Sequence, residues 1–374
     1  MGLLLLLLLP VGGTASSVVT VDWGSPAAAS ALAIPTYLDQ VNPSMDRRSP
    51  MHDVAFRRMD KLGAKLVRYL HWSSSQAPFP EREEGIFNFT LTDEYVLDFM
   101  ACKNAETSVM NFDSGPCWLH VGKNCGNPLR DPSGKEYGEW ISRIVSWYTK
   151  GGFTDARTGK VYTSPHRLKW QNYEVLNEPN LAGWIRRSSP DPWVLYTSVY
   201  DGIVGVLTKD HPELAISALC LAQGAVPKAD VFTDSWFTYF FNASNHAAGI
   251  KPPAYVTYHF YAIPGAMPTL DPWPKGKLPV VEWPPHLFRQ AAQFIERAQH
   301  VNGLIAAGSF GGKDVKVNVD EVGIIGGSHC PVATLFTSDK IYWNVAASLW
   351  GYYYGELARL GSTAIAASQL TGCE

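Results

Sequence analysis

The sequence carries little charge and no excess of either sign. Only 17% of its 374 residues are charged, and 31 Lys plus Arg oppose 34 Asp plus Glu, which gives a formal net charge of −3. No basic tract stands out along the chain. The charge pattern therefore gives no indication of nucleic acid or of an anionic membrane as a partner.

Two common sequence motifs are also missing. No Gly-rich turn follows the first predicted strand, since Val21-Asp22-Trp23-Gly24-Ser25 lacks a G-x-G-x-x-G, and this weakens the case for a doubly wound open sheet. No G-x-S-x-G occurs anywhere in the chain. A barrel that acts as an acyl hydrolase with a Ser-His-Asp set is therefore not indicated.

Cysteine is sparse, and its spacing does not suit zinc. The six cysteines include no C-x-x-C pair, so a structural zinc site is not expected. Cys117 and Cys125 flank a short loop that contains Gly and Asn, and they can form a disulfide in an oxidising compartment. The remaining four are interpreted as buried thiols, which are common in protein cores.

One long apolar run stands at the N-terminus, where Leu3 to Leu9 are seven consecutive leucines. A Pro-Val-Gly-Gly break and a Gly13-x-Ala15 site follow. The run is too short for a bilayer core of about 30 Å. It predicts a cleaved signal peptide over residues 1–15, although the segment before it lacks Lys and Arg. The remaining residues 16–374 are expected to be secreted or to enter the endomembrane lumen, without membrane attachment.

Two N-glycosylation sequons are compatible with that route. They are Asn88-Phe-Thr and Asn242-Ala-Ser, whereas the proline in Asn42-Pro-Ser blocks a third. Since such triplets also arise by chance, they add only modest support for a secreted glycoprotein.

Short β-branched or apolar runs alternate with longer amphipathic stretches. Eight strands are predicted, at Ser17–Asp22, Lys65–Leu70, Thr107–Phe112, Lys169–Leu176, Leu214–Ala218, Tyr255–Phe260, Val315–Asp320 and Ala364–Ala367. Helical patterns cover 51–62, which ends at Gly63, and 91–102, 137–150, 192–209, 287–301 and 340–360.

This alternation predicts parallel strands joined by crossover helices. Eight such units fit an α/β fold of the (β/α)8 TIM-barrel type, which needs about 250 residues plus insertions. The chain ends shortly after the eighth predicted strand, so the barrel is expected to lack its eighth helix in this chain. No repeat or linker marks a second domain, and residues 16–374 are predicted to form one.

The strongest motif is Tyr173-Glu-Val-Leu-Asn-Glu-Pro-Asn180. Its strand is expected to end at Asn177-Glu178-Pro179, because proline cannot continue a central strand. In a parallel barrel the C-terminal strand ends form the active face, which places the Glu178 carboxylate and the Asn177 amide there. Taken alone, the motif could equally be a helix N-terminus, where a glutamate favours the helix dipole.

A second carboxylate ends the seventh predicted strand, in Lys316-Val-Asn-Val-Asp-Glu321-Val-Gly-Ile. The fourth and seventh strands face each other across the barrel mouth, so Glu178 and Glu321 can approach to about 5–5.5 Å. At that separation one carboxylate attacks an anomeric carbon while the other protonates the leaving oxygen. The alternative is a solvated Asp320-Glu321 loop, which fits less well with the Val-rich run before it and Gly323 after it.

Together these motifs resemble clan A of the glycoside hydrolases. The iduronidase and β-xylosidase branch is the most similar, because Val67-Arg68-Tyr-Leu-His71-Trp72 has an arginine near a histidine. Tyr258-His259-Phe-Tyr261 also resembles the clan, in which a His and a Tyr flank the nucleophile. The resemblance covers nearly the whole mature chain as strand order. It implies retaining, two-step hydrolysis of an O-glycosidic bond in a carbohydrate, with no cofactor or metal.

The resemblance also implies roles for individual residues. Glu178 would be the acid/base and Glu321 the nucleophile. Asn177 would bond the sugar 2-hydroxyl. His259 and Tyr261 face the same way on one strand and would border the site, and the Tyr261 hydroxyl would donate to Glu321.

Other candidates have a structural alternative. Arg68 would place a positive charge beside the Glu321 carboxylate, or it would close a buried ion pair. His71 is a candidate substrate contact, yet alternation points it away from Arg68, so it could be a core histidine. Three tryptophans lie at or beyond strand ends, namely Trp72, Trp118 and Trp184. They would either form the floor of sugar subsites or pack in the core.

Two rival functions share this cleft. A carbohydrate-binding barrel without turnover would keep the shape, although the intact Glu178 and Glu321 argue against it. A transglycosylase would use the same residues, with an acceptor sugar in place of water. The sequence specifies neither the sugar nor the linkage, since fold says little about either.

Overall fold

A computed structural model describes residues 34–40, 45–63, 66–71, 78–101, 107–113, 115–224, 232–262, 282–324 and 339–367. Ten strands occur within these ranges. They are β1 (Ile34–Gln40), β2 (Leu66–Leu70), β3 (Thr107–Asn111), β4 (Gly152–Thr154), β5 (Val161–Thr163), β6 (Asn172–Glu174), β7 (Ala215–Gly224), β8 (Tyr255–Ala262), β9 (Lys316–Ile324) and β10 (Ala364–Ala367). Eight of them close into a barrel of parallel strands in the order β1-β2-β3-β6-β7-β8-β9-β10. The other two, β4 and β5, form an antiparallel hairpin.

Helices connect the strands of the barrel. They are α1 (His52–Leu62), α2 (Thr90–Met100), α3 (Lys135–Thr149), α4 (Gly183–Ser188), α5 (Pro192–Asp210), α6 (Asp234–Phe240), α7 (Trp283–Ala307) and α8 (Asp339–Arg359). As predicted, α1 ends at Gly63, whose φ of +63° closes the helix in a left-handed conformation. Among the described residues, no helix combines the length and the apolarity that crossing a membrane requires.

The helices α3 and α5 pack closely at two glycines, Gly138 and Gly202. A Cβ on Gly138 of α3 would lie 2.8 Å from Ile203 Cα of α5, and one on Gly202 would lie 1.9 Å from Ser133 O. Only glycine allows the two helices to approach so closely. This contact fixes α5 against α3, and α5 supplies the Tyr196 hydroxyl that contacts the backbone of β7.

The predicted TIM-barrel fold is confirmed, with a correction at the first strand. Seven predicted strands overlap the observed ones, but the strand that pairs with β2 and β10 is Ile34–Gln40. The predicted strand Ser17–Asp22 lies outside the described residues. Pro35 weakens the strand signal in Ile34–Gln40, since proline is unfavourable inside a sheet, whereas the earlier Val-rich run is strongly β-prone. The segment after Ala367, where an eighth helix would follow, is also outside the described residues.

Two strands carry an extra residue that shifts their register. In β7, Ala218 pairs with Val256 but Leu221 pairs with Tyr258, so one residue is inserted between them. In β9 the pairing of Val319 with Tyr258 is followed by Glu321 with His259. Such β-bulges re-aim side chains and are frequent beside active sites.

Candidate active site

The carboxyl ends of four barrel strands bring the predicted residues together. Arg68 comes from β2, Glu178 follows β6, His259 lies on β8 and Glu321 lies on β9. One side-chain N or O atom from each of Glu178, His259 and Glu321 lies within 4.8 Å of the other two. This proximity of one oxygen from each carboxylate is compatible with the short spacing, about 5–5.5 Å, of retaining glycosidases.

The β9 bulge explains why two consecutive acidic residues face the barrel interior. Side chains alternate across a regular strand, so Asp320 and Glu321 would ordinarily point to opposite faces. The extra residue turns both inward, where Asp320 Oδ2 lies 3.1 Å from Arg68 Nε and Glu321 Oε1 lies 2.7 Å from Arg68 Nη1. Both carboxyl groups are nearly inaccessible to solvent.

Arg68 is the fully buried cation at the centre of the site. It donates from Nε to Glu174 at 2.7 Å, from Nη1 to Glu321 at 2.7 Å and from Nη2 to Asn177 Oδ1 at 2.9 Å. Burial by itself would lower the pKa of Arg68, but Glu174 and Asp320 raise it well above its ordinary value. The guanidinium is therefore permanently charged and orients both the nucleophile candidate and the Asn177 amide.

Glu174, a residue with no role predicted from the sequence, is fully buried in contact with Arg68. Its carboxylate accepts hydrogen bonds from Asn111 Nδ2 at 2.9 Å and from Thr257 Oγ1 at 2.6 Å. Burial opposes ionisation, yet the charge of Arg68 and these hydrogen bonds lower the pKa of Glu174 below its usual value. Asp320 behaves oppositely, because burial and the nearby charge of Glu174 raise its pKa. The sequence feature that could have indicated a role for Glu174 is the presence of a glutamate inside an apolar strand.

His259 links the two glutamates. Its Nδ1 lies 2.9 Å from Glu178 Oε1 and 3.3 Å from Glu321 Oε2. Burial would lower the pKa of His259, but the charge of Glu321 and its other neighbours raise that pKa well above its ordinary value. The geometry therefore places Nδ1 between the two carboxylates, closer to Glu178 than to Glu321.

The two glutamates have different surroundings. The Glu178 side chain is 25% exposed and contacts His259, whereas the Glu321 side chain is 4% exposed. Glu321 accepts from Arg68 at one oxygen and from the Tyr261 hydroxyl, at 2.6 Å, at the other. One carboxylate is therefore reachable by solvent and the other is held by two donors, which suits a proton donor and a nucleophile respectively.

His71 occupies a different place from the other candidates. It lies on the opposite face of β2 from Arg68, with Nδ1 2.8 Å from the Tyr69 hydroxyl. Its ring packs against Phe79 and Phe112 at centroid distances of 5.4 and 5.2 Å. Within the described residues His71 therefore packs in the core, and a contact between His71 and substrate stays a prediction.

The tryptophans do not line the cleft where the structure describes them. Trp118 and Trp184 are 2% and 3% exposed, so neither presents a face to a sugar. Trp118 donates its indole N–H to Glu81 O, within the outer layer. Trp72, the third tryptophan predicted to contact substrate, lies outside the described residues.

A metal ion is a further possible occupant of this site, since Glu178, His259 and Glu321 each offer one ligand atom. The donor set suits a cation poorly. The Arg68 guanidinium already contacts Glu321, and the raised pKa of His259 favours its protonated form, which cannot coordinate a metal. We therefore assign no metal to these residues.

Comparison with known proteins gives a match in structure only. No family model matches, and no curated protein matches. Among solved structures the chain is similar to a GH39 beta-xylosidase from Caulobacter crescentus, with a TM-score of 0.53 and 14% identity over 91% of this chain and 62% of that one. It is also similar to a GH51 arabinofuranosidase from Xanthomonas axonopodis pv. citri, with a TM-score of 0.57 and 12% identity over 93% and 69% of the two chains.

An endo-1,4-beta-mannanase from Rhizomucor miehei gives a TM-score of 0.51 and 13% identity over 94% of this chain and 87% of that one. Identity this low establishes a shared fold. The chain spans 62% of the length of the beta-xylosidase. The resemblance inferred from sequence is confirmed at the level of the fold, since these neighbours are glycosidases of the kind that the motifs resemble.

Proposed function

We propose that this protein is a retaining glycoside hydrolase with Glu178 as acid/base and Glu321 as nucleophile. The observation that carries the proposal is the approach of the two carboxylates to within 4.8 Å in unequal environments. A retaining mechanism needs this short separation, whereas an inverting one needs about 6.5–9.5 Å to admit a water molecule. The glycosidase names of the structural neighbours support a carbohydrate substrate.

In the first step Glu321 attacks the anomeric carbon and Glu178 gives its proton to the leaving oxygen. The glycosidic C–O bond breaks and an ester between the sugar and Glu321 forms. The transition state carries positive charge on the sugar, which the buried carboxylate stabilises at close range. Arg68 and Tyr261 contact different oxygens of Glu321 and fix its direction of attack.

In the second step Glu178 takes a proton from water, and the water oxygen attacks the anomeric carbon. The ester bond breaks, which restores the Glu321 carboxylate and gives the product its original configuration. The 25% exposure of Glu178 is compatible with water reaching it in this step. Asn177 is proposed to bind a sugar hydroxyl next to the reacting carbon.

The product configuration tests this proposal directly. We expect proton NMR of the first product from a panel of aryl glycosides to show retention with at least one sugar. Glu178→Gln and Glu321→Gln should lower kcat by several orders of magnitude. Glu139→Gln, an exposed change on α3, is the matched control and should leave kcat unchanged.

Three outcomes would count against the proposal. An inverted product would exclude the assignment of Glu321 as nucleophile. Sugar binding without turnover by the folded wild type would favour a binding barrel. Transfer to an added acceptor sugar in preference to water would favour a transglycosylase with the same residues.

We further propose that the protein enters the secretory pathway and is glycosylated at Asn88 and Asn242. Both asparagines are exposed, and Cys117 and Cys125 form a disulfide, a bond typical of oxidising compartments. Expression in a eukaryotic secretory host should give a mature N-terminus at Ser16. Removal of N-glycans should then reduce the mass of the wild type but not that of the N88Q/N242Q double variant. Retention in the cytosol with an intact N-terminus would contradict secretion.

A further inference from the structure

The bulge in β7 has an unusual backbone. Leu219 and Cys220 are consecutive non-glycine residues with φ of +73° and +45°. Side chains other than glycine rarely adopt this left-handed region, and two in succession cost free energy that the surrounding contacts must offset. Strain of this kind concentrates at functional sites.

Contacts from two elements hold the bulge in place. The Leu219 N–H donates to the Tyr196 hydroxyl of α5 at 2.6 Å, and the Glu178 N–H donates to Cys220 O at 3.0 Å. The Asn180 side chain bonds both the N–H and the C=O of Ala222, at 2.9 and 2.8 Å. The end of β6 and the bulge of β7 are therefore locked together around the candidate acid/base.

This backbone points the Cys220 thiol into the centre of the site. Cys220 is fully buried and is the one free cysteine among the described residues. Its Sγ lies 3.2 Å from Arg68 Nη2, 3.4 Å from Asn177 Oδ1 and 3.2 Å from His259 Nε2. Burial raises the pKa of Cys220 to about 12, so the group stays a neutral thiol with one S–H to donate.

These contacts determine the orientation of two neighbours. Asn177 Oδ1 accepts from Arg68 and from the thiol, which leaves the Asn177 amide N–H groups as the donors available to a substrate oxygen. His259 Nε2 faces Cys220 and Asp320, which directs Nδ1 towards Glu178. The Cys220 thiol thus contacts both Asn177 and His259.

We propose that Cys220 is a positioning residue, whose thiol holds the Asn177 amide and the His259 ring in the orientations that serve substrate and Glu178. The inference rests on the proposed hydrolase function for its kinetic consequences. Its structural content, the orientation of His259 by the thiol, does not depend on activity.

Kinetics of two substitutions provide the first test. Cys220→Ala should lower kcat about 10- to 100-fold, with a smaller change in KM, because misplacement of a catalytic group by about 1 Å costs about that much. Cys220→Ser should recover most of the loss, since a hydroxyl can donate and accept in the same place. Ser217→Ala removes another buried group of β7, one that bonds Asn172 and touches no catalytic residue, and should leave kcat unchanged.

Ring NMR gives a second measurement that needs no activity. In full-length protein with nitrogen-15 histidine, the His259 signals are assigned from their loss in His259→Gln. Cys220→Ala should shift the Nε2 signal of His259, and Cys220→Ser should shift it less. His211, whose ring contacts Ser142 away from the site, is the internal reference and should not move.

Together the kinetics and the NMR distinguish failure of the positioning role from failure of the proposed hydrolase function. An unchanged His259 signal together with wild-type kcat in Cys220→Ala would overturn the inference. Equal loss of kcat in the Ala and Ser variants would also overturn it, because packing and not hydrogen bonding would then be responsible. A shifted His259 signal in a protein without hydrolase activity would support the positioning role and reject the proposed function.

Discussion

Two groups of charged residues, one inside the barrel and one outside it, both contain arginine and carboxylate side chains but differ in their exposure to solvent. The inner cluster consists of Arg68, Glu174, His259, Asp320 and Glu321, all at most 4% exposed. The outer cluster consists of Glu81, Glu84, Arg130, Glu136 and Arg157, and it surrounds Trp118.

In the outer cluster four of the five side chains keep partial contact with water, whereas Glu81 is fully buried. The side chains of Arg130 and Glu84 are 32% and 33% exposed, and the guanidinium groups of Arg130 and Arg157 each lie 5.1 Å from the Trp118 ring. Such pairs contribute little and are weakened further by salt. In the inner cluster no solvent is available, so each charge depends on its partners and the protonation states shift. The degree of burial, and not residue type, therefore distinguishes the inner cluster from most of the outer one.

Replacing the central arginine of each cluster should give the largest contrast. Arg68→Met leaves several buried carboxyl groups uncompensated and should lower the free energy of unfolding by about 3–5 kcal/mol. Arg130→Met should cost no more than about 1 kcal/mol. Urea denaturation at pH 7 measures both, and similar losses in the two variants would show that burial is not the deciding factor.

Removing the disulfide should sharpen the contrast by affecting stability alone. The Cys117–Cys125 bond closes a loop between β3 and α3, and removal of such a short closed loop costs about 2–3 kcal/mol by chain entropy. The C117S/C125S double variant should therefore unfold at a lower urea concentration while kcat stays within about twofold of wild type. A large fall in kcat at urea concentrations below the unfolding transition would show that this loop contributes to the geometry of the site.

Glu174→Gln should alter the dependence of stability on pH. Folding lowers the pKa of Glu174, so its ionised form contributes stability that is complete above the unfolded pKa of about 4.3 and is lost as the pH falls towards the folded value. The variant should lose about 2 kcal/mol at pH 7 and show a shallower loss below pH 4 than wild type. Glu84→Gln is the outer control for urea titrations between pH 3 and 7, and parallel curves for the wild type and Glu174→Gln would contradict the assignment.

Asp320→Asn should have a smaller effect of opposite sign. Folding raises the pKa of Asp320, so its ionisation opposes folding increasingly as the pH rises from the unfolded pKa of about 3.9 to the folded value. Replacing it with a neutral amide should raise stability at pH 7 by on the order of 1 kcal/mol, with little gain at pH 4. The same urea titrations measure this, and destabilisation at pH 7 would show that the ionised form of Asp320 is required.

Sequence patterns were sufficient to predict the barrel and the proximity of Glu178 and Glu321. Alternating strands and helices indicated the fold, and Asn177-Glu178-Pro179 with Glu321 indicated the two strand ends that meet. Strand alternation also separated Arg68 from His71. These predictions succeeded because each depends on local periodicity and on a topology that follows from it.

The features of the site that the sequence did not predict depend on β-bulges and on contacts between residues distant in sequence. Regular alternation places Asp320 and Glu321 on opposite faces, and only the extra residue in β9 turns both inward. The Cys220 thiol points into the site because Leu219 and Cys220 have positive φ angles, which no local sequence motif predicts. Glu174 acquires its importance from Arg68, which lies 106 residues earlier in the chain.

The central claim is that Glu321 forms a covalent bond to the sugar during turnover. Intact-mass labelling with a panel of mechanism-based inactivators of different sugar configurations, followed by peptide mapping, tests it most directly. The account predicts a single adduct on the peptide that holds Glu321, with none formed in Glu321→Gln. An adduct on another carboxylate, or none from any inactivator on a folded protein that turns over glycosides, would contradict it.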